Sequence, residues 1–322
     1  MKHRSFILCL LPLVCLFVWA PDHPRAAEKL TFPTKPINVI VPQSPGGSID
    51  MEPRGFIPYL KKYLGVDVTI ENMPGAGGKM GLTRVWKAKP DGYTLLYHGI
   101  PQSIMNEYLF TTEFKTSEFA HILGLCVTNM VLVVHPDHWK TMEEFVKAAK
   151  EKTLSAGIPS PGSTSHICGL VMADKLGIKV NWVPFDGSGE VLSGLAGKHL
   201  DFGIVSTNSA QILASAEKVR PLMVFSDVTD GVFPKVLFSG ETAYSISTMS
   251  AIRGFVAPPK TPPEFVKILE NAMQKAATDP IFAEWAKSRK LEINALPAGK
   301  YLAGTRTQYE LLEKYKALFK SS

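Results

Sequence analysis

Two hydrophobic periodicities follow one another along this chain. Short β-branched runs predict strands at 37–42, 67–71, 93–97, 119–124, 130–134, 154–157, 180–184, 200–205 and 220–226. Apolar residues at three- and four-residue spacing predict helices at about 50–63, 77–88, 141–152, 164–176, 188–197, 262–277, 280–288 and 298–318. Strands alternating with helices indicate βαβ units, mainly parallel sheets and the α/β class. Thr141 with Glu144 three residues on marks one helix start. Thr261-Pro262-Pro263-Glu264 marks another in the same way, with prolines in its first turn.

The order of elements predicts two lobes. Residues 28–128 carry one βαβαβ set, and residues 129–250 carry a second. Residues 251–322 read as mostly helical, with too few strands for a third domain, and are expected to return and cover the first lobe. The chain then crosses between lobes near 126–130 and 248–256. Pro258-Pro259-Lys260-Thr261-Pro262-Pro263 fits a rigid exit from the second crossing.

Four loops share one design, each after a strand and at the start of a helix. They are Gly46-Gly47-Ser48-Ile49-Asp50 and Gly75-Ala76-Gly77-Gly78 in the first lobe. The second lobe has Ser160-Pro161-Gly162-Ser163-Thr164-Ser165-His166 and Phe185-Asp186-Gly187-Ser188-Gly189-Glu190. Helix starts present backbone N–H groups, glycine lets a ligand approach them, and Ser or Thr hydroxyls donate without adding charge. In open α/β sheets ligands bind at the carboxyl ends of the strands, where these loops fall. Only Lys79 puts a cation beside a loop, so a carboxylate held reversibly suits the set. The plainer alternative is that the glycines make turns and the hydroxyls cap helices. Asp50 has two readings, a helix cap or a group that orders the loop or a bridging water. Ser44, Thr128 and Ser206 complete the candidate ligand-binding residues.

The N-terminus adds export. Lys2 and Arg4 precede an apolar run from Phe6 to Ala20, which reads as a signal peptide over residues 1–27. Loss of this segment lowers the formal charge from +6 to +4 and removes Cys9 and Cys15. Cys126 and Cys168 remain and are expected as buried free thiols rather than a disulfide. The dispersed basic residues carry no nucleic-acid signature.

Other chemistries fit poorly. The dinucleotide pattern fails because Met80 stands where the third glycine belongs, and the Walker pattern fails at Met73 and Met80. No Gly-x-Ser-x-Gly elbow occurs at Ser163 or Ser188. Ser163 and His166 are three residues apart, but His166 is expected to cap the turn or line the pocket. His121, His135 and His138 lack metal-ligand spacing and are expected on the surface or in loops. No metal, cofactor or catalytic residue is expected.

The motifs together resemble a known family. They are Pro42-Gln43-Ser44-Pro45-Gly46-Gly47-Ser48-Ile49-Asp50 with Arg54, Glu71-Asn72-Met73-Pro74-Gly75-Ala76-Gly77-Gly78, and Lys89-Pro90-Asp91-Gly92-Tyr93-Thr94-Leu95-Leu96. Further along stand Gly162-Ser163-Thr164-Ser165-His166, Val183-Pro184-Phe185-Asp186-Gly187-Ser188-Gly189, Ala196-Gly197-Lys198-His199-Leu200-Asp201 and Phe255-Val256-Ala257-Pro258-Pro259-Lys260-Thr261-Pro262. In this order they are similar to the Bug/TctC family of extracytoplasmic solute-binding receptors. The resemblance implies a two-lobe, type II-like Venus-flytrap fold that closes on a small mono- or dicarboxylate. It implies a periplasmic monomer that delivers its ligand to a two-component tripartite tricarboxylate permease. Gln43-Ser44, Asp186, Val205 and Pro53, which interrupts the first turn of the first helix, depart from the family's usual residues and bear on ligand choice. A periplasmic sensor with another membrane partner, or an exported Ser/His hydrolase, are the rival readings.

Overall fold

The computed structural model describes residues 31–320 apart from 47, 160, 228–229, 245, 247–248, 290 and 292. The expected signal segment 1–27, Gly47 and the side chain of Ser48 lie outside the described residues. The first third of the chain builds β1 (Ile37–Val41), α1 (Ser48–Leu64), β2 (Val68–Asn72), α2 (Lys79–Trp86), β3 (Thr94–Ile100), α3 (Gln102–Leu109) and β4 (Ala120–Thr128). The middle builds β5 (Met130–Val134), α4 (Met142–Glu151), β6 (Leu154–Ile158), α5 (Thr164–Leu176), β7 (Val180–Pro184), α6 (Ser188–Ala196), β8 (Phe202–Ser206), α7 (Thr207–Ser215) and β9 (Arg220–Phe225). The rest builds β10 (Ala251–Ala257), α8 (Pro263–Ala277), α9 (Pro280–Ser288), β11 (Ile293–Pro297) and α10 (Ala298–Lys320).

Two sheets result. One has the order β11-β4-β10-β3-β1-β2, the other β7-β6-β8-β5-β9. The expectation of mainly parallel sheets is corrected. β1 is parallel to β2 and β3, and β6 to β7 and β8, but β10, β11, β5 and β9 all pair antiparallel. Residues 251–322 are mostly helical and add two strands, β10 and β11, to the first sheet. β10 enters from the second sheet's side and inserts between β3 and β4, so its direction is reversed. Its close approach to β4 requires Gly254, where a Cβ would stand 2.3 Å from the Leu123 carbonyl oxygen and 2.7 Å from the Gly124 Cα.

Alternating apolar residues seat helices on both faces of each sheet. In β1, Ile37, Val39 and Val41 face Phe56 and Leu60 of α1 and Phe282 of α9, whereas Ile40 faces the α2 side. In β5, Val131 and Val133 join the α6 and α7 side, and Leu132 and Val134 join Phe145 of α4 and Ile167 of α5. Thr141 caps α4 by accepting the Glu144 N–H, as the spacing predicts. α8 starts differently: Pro262 is its N-cap, and the Thr261 hydroxyl donates to the Pro258 carbonyl instead. α1 runs through Pro53 and Pro58, so Pro53 does not end the first turn.

The chain passes between the sheets twice, at 128–130 and between β9 and β10. β4 and β10 stay paired up to Thr128 opposite Ala251. Just beyond, the Ser250 hydroxyl donates to the Asn129 side-chain carbonyl at 2.6 Å. Asn129 in turn donates to Asp230 at 2.9 Å. Cys126 and Cys168 are buried free thiols.

Candidate functional site

The first glycine loop is organised by Asp50, in the first turn of α1. Its carboxylate accepts the Gly46 N–H at 2.9 Å, Arg54 Nε at 2.9 Å and Asn72 Nδ2 at 2.8 Å. Asn72 also donates to the Gln43 carbonyl at 2.9 Å, and Arg54 donates to Asn72 Oδ1 at 2.6 Å. Burial raises the Asp50 pKa, but Arg54, the Gly46 N–H and Asn72 together outweigh it and hold it at about 2. Asp50 is therefore an ionised strut of the loop, and its partners are protein groups. Ser44 and Gly46 are exposed at the loop's tip.

The second loop needs its glycines. Gly75, Ala76, Gly77 and Gly78 all have positive φ, from 47° at Ala76 to 129° at Gly75. α2 then begins at a left-handed Gly78 with no side-chain cap. The N–H groups of Gly78 and Lys79 turn back to the Gly75 and Ala76 carbonyls, so only part of this loop's backbone is left to face a ligand.

α3 joins the two loops, and the sequence pattern did not predict it. Gln102 accepts from Gln43 Nε2 of the first loop at 3.2 Å, and Asn106, one turn later, donates to the Gly77 carbonyl of the second at 3.1 Å. A proline straight after an apolar strand, Ile100-Pro101, was the available signal for a helix start.

From the second sheet, the loop 161–164 faces this assembly. A cavity of about 280 Å³ is lined by Gly77, Gln102, Asn106 and Phe110 on one side and by Gly162, Ser163 and Thr164 on the other. No charged side chain lines it, among the described residues. Its polar lining is the amides of Gln102 and Asn106 and the hydroxyls of Ser163 and Thr164, beside the apolar Met105, Leu109, Phe110 and Pro161. Asn106 Nδ2 donates to the Gly77 and Gln102 carbonyls, and the Gly162 N–H to His166 Nδ1.

Beyond Gly77, Ser163 and Thr164, the predicted residues stand apart from this lining. Ser163 and Ser206 cap α5 and α7, accepting the N–H groups of His166 and Ser209. The Ser165 hydroxyl is buried and points to Met130 Sδ at 3.3 Å. His166 is buried; its Nδ1 accepts the Gly162 N–H at 3.1 Å, and among the described residues its Nε2 has no hydrogen-bond partner. The ring thus holds loop backbone, and burial lowers its pKa. Asp186 is exposed, and Gly187 is the uncapped start of α6. Thr128 ends β4 and accepts from Arg253 Nη2 at 3.0 Å. Lys79 lies over the Phe110 ring, 5.9 Å from its centroid.

One histidine expectation is corrected. His121 is not on the surface: it is buried on β4, with Nε2 3.0 Å from the Thr305 hydroxyl. The Tyr301 ring also packs against His121, and its hydroxyl meets His98, whose Nδ1 lies 2.8 Å from the Ser103 hydroxyl and Nε2 3.1 Å from the Tyr301 hydroxyl. Burial keeps both rings neutral, with pKa values of about 3 for His98 and about 4 for His121. Among the described residues no cluster of His, Cys, Asp and Glu is arranged to hold a metal.

Two α/β sheets with glycine loops at strand ends and a neutral donor cleft between them define a two-lobe solute-binding protein. Residues 54–318 match the model of the tripartite tricarboxylate transporter family receptor, TctC, and the chain belongs to that family. A UPF0065 protein of Agrobacterium vitis is 30% identical, over 89% of this chain and 82% of its own. Among solved structures, a TctC solute-binding protein from Polaromonas is 28% identical, with a TM-score of 0.82, over 91% of this chain and 100% of its own. MatC from Rhodopseudomonas palustris, solved with bound malate, shares the fold at 24% identity and a TM-score of 0.68, over 89% of this chain and 100% of its own.

Proposed function

We propose that this protein captures a small carboxylate in the periplasm and delivers it to a two-component tripartite tricarboxylate permease. The observation that carries the reading is the uncharged cleft walled by Gly77, Gln102 and Asn106 on one side and by Gly162, Ser163 and Thr164 on the other. Neutral N–H and O–H donors hold an anion without the tight grip of a buried ion pair, which suits capture followed by release. In this reading the lobes are 28–128 with 251–322, and 129–250. Ser44, Gly46, Gly47, Ser48 and residues 75–78 meet one end of the ligand. Residues 163–166, Asp186, Gly187, Ser206 and Thr128 serve the other lobe and the hinge. In this reading the N-terminal segment 1–27 directs export and is then removed, and the receptor works as a monomer without catalysis.

The test is a thermal-shift screen of straight-chain mono- and dicarboxylates on protein freed of co-purified ligand by denaturation and refolding. A ligand at a hundredfold over its Kd adds about 2.7 kcal/mol of stability. A saturable rise with at least one carboxylate is expected. No rise across the whole panel would overturn the reading.

A further inference from the structure

One wall of the cleft changes character along its length. α3 presents Gln102, Met105, Asn106 and Leu109 to the cavity, positions i, i+3, i+4 and i+7 of a single helix face. At the rise of an α-helix that face is about 10 Å long. It begins at a carboxamide and ends at the Leu109 side chain, with the Phe110 ring next to it. Leu109 is 58% exposed and Phe110 40%. Two large apolar side chains therefore meet water at the cavity instead of packing in the core, and a ligand that covers them removes that surface from water.

The side-chain donors in the lining are few. Asn106 Nδ2 is already committed to two backbone carbonyls, at Gly77 and Gln102. Gln102 Oε1 accepts from Gln43, but Gln102 Nε2 makes no hydrogen bond among the described residues. Neither does the Thr164 hydroxyl, on the opposite wall in the first turn of α5. One donor from each wall serves a single carboxylate. The rest of the side-chain lining is largely apolar, with Pro161 facing the α3 residues, and no cation stands in it among the described residues. A second carboxylate would lose its water against apolar surface without a charged partner, which is costly. An alkyl tail in the same place gains from burial.

We propose that the cleft selects monocarboxylates with an apolar tail, the head taken by Gln102 Nε2 and the Thr164 hydroxyl and the tail laid along Met105, Leu109 and Phe110. This rests on the carboxylate reading above and narrows it to amphipathic monoanions. Leu109 and Phe110 are then the residues that set specificity, and Thr164 serves the head whatever the tail.

The test is calorimetric titration of wild type, Thr164→Val and the double variant Leu109→Asn/Phe110→Asn with butyrate, hexanoate, octanoate, succinate and adipate, on protein freed of co-purified ligand. Circular dichroism establishes which variants fold. Wild-type affinity is expected to rise from butyrate to octanoate by about fourfold for each methylene. Hexanoate is expected to bind about tenfold or more tighter than adipate, which has the same chain length and a second charge. The double variant is expected to flatten the rise to less than about twofold for each methylene. Thr164→Val is expected to weaken the three monocarboxylates by a similar factor and leave the rise intact. A flat wild-type series, adipate bound as well as hexanoate, an unchanged rise in the folded double variant, or no loss in folded Thr164→Val overturns the amphipathic assignment and leaves the carboxylate reading standing. If neither variant folds, the wild-type series decides alone. A wild type that binds none of the panel overturns both.

Discussion

Asp50→Asn tests how the first glycine loop is held. The carboxylate receives three sets of donors, from the Gly46 N–H, Arg54 Nε and Asn72 Nδ2, all at 2.8–2.9 Å. An asparagine amide must turn an NH₂ toward at least one of them, so one acceptor is lost and a donor faces a donor. A hydrogen bond to a charged group contributes about 1.5–3 kcal/mol. Arg54 is half exposed, so its share falls at the low end through solvent screening. The expected cost is about 2–3 kcal/mol at neutral pH, or roughly 3–6 °C in melting temperature for a chain of this size. Affinity for the carboxylate panel falls as well, because the Gly46 loop loses its tether to α1. The pH dependence follows from the lowered pKa. The unfolded chain takes up a proton near 3.8, whereas the folded Asp50 does so only near 2. Its contribution is complete above pH 3.8 and is lost as pH falls from there to about 2. Thermal melting at pH 7 and calorimetric titration of wild type and variant check both effects. A variant with wild-type melting temperature and wild-type affinity would show that the loop does not depend on Asp50.

The buried histidines give an acid-sensitivity prediction. His98 and His121 stay neutral in the folded state down to about pH 3 and 4, while the unfolded chain protonates them near 6.5. Stability is therefore highest above pH 6.5 and declines as pH falls below it, and His98→Gln should flatten the melting-temperature profile between pH 7 and 4.5. An identical slope in wild type and variant would count against it. Gly254→Ala forces a Cβ against backbone of β4, and overpacking of this kind costs about 1–3 kcal/mol; a urea midpoint equal to wild type would show that β10 and β4 can separate there without cost.

The strand–glycine loop–helix units were legible because each is local: β1, β2 and β6 carry their apolar runs, turn residues and following helices within a few residues. β10 was not, because Arg253 and Gly254 break its apolar run. The reasons for both residues, Glu52 and Gly124, are 201 and 130 positions away. His121 hid in the same way, since the hydroxyl that satisfies it belongs to Thr305. Asp50 was legible as either a cap or a strut, and the choice depended on Asn72 from the next strand. Of the candidate cleft, Gly77, Ser163 and Thr164 could be read from loop composition. Gln102 and Asn106 could not, because an amide on a short helix has no composition signal until the helix is placed between two loops.

The pairing of the two crossings has a mechanical consequence. β4 and β10 are zipped to their ends, and Asn129 and Ser250 fasten them one step further. Two separate tethers would let the sheets slide and swivel independently. Two fastened ones behave as a single ribbon, stiff in its own plane and free to flex only out of it. Any change of angle between the two sheets then bends this one ribbon, so the two crossings move together rather than separately.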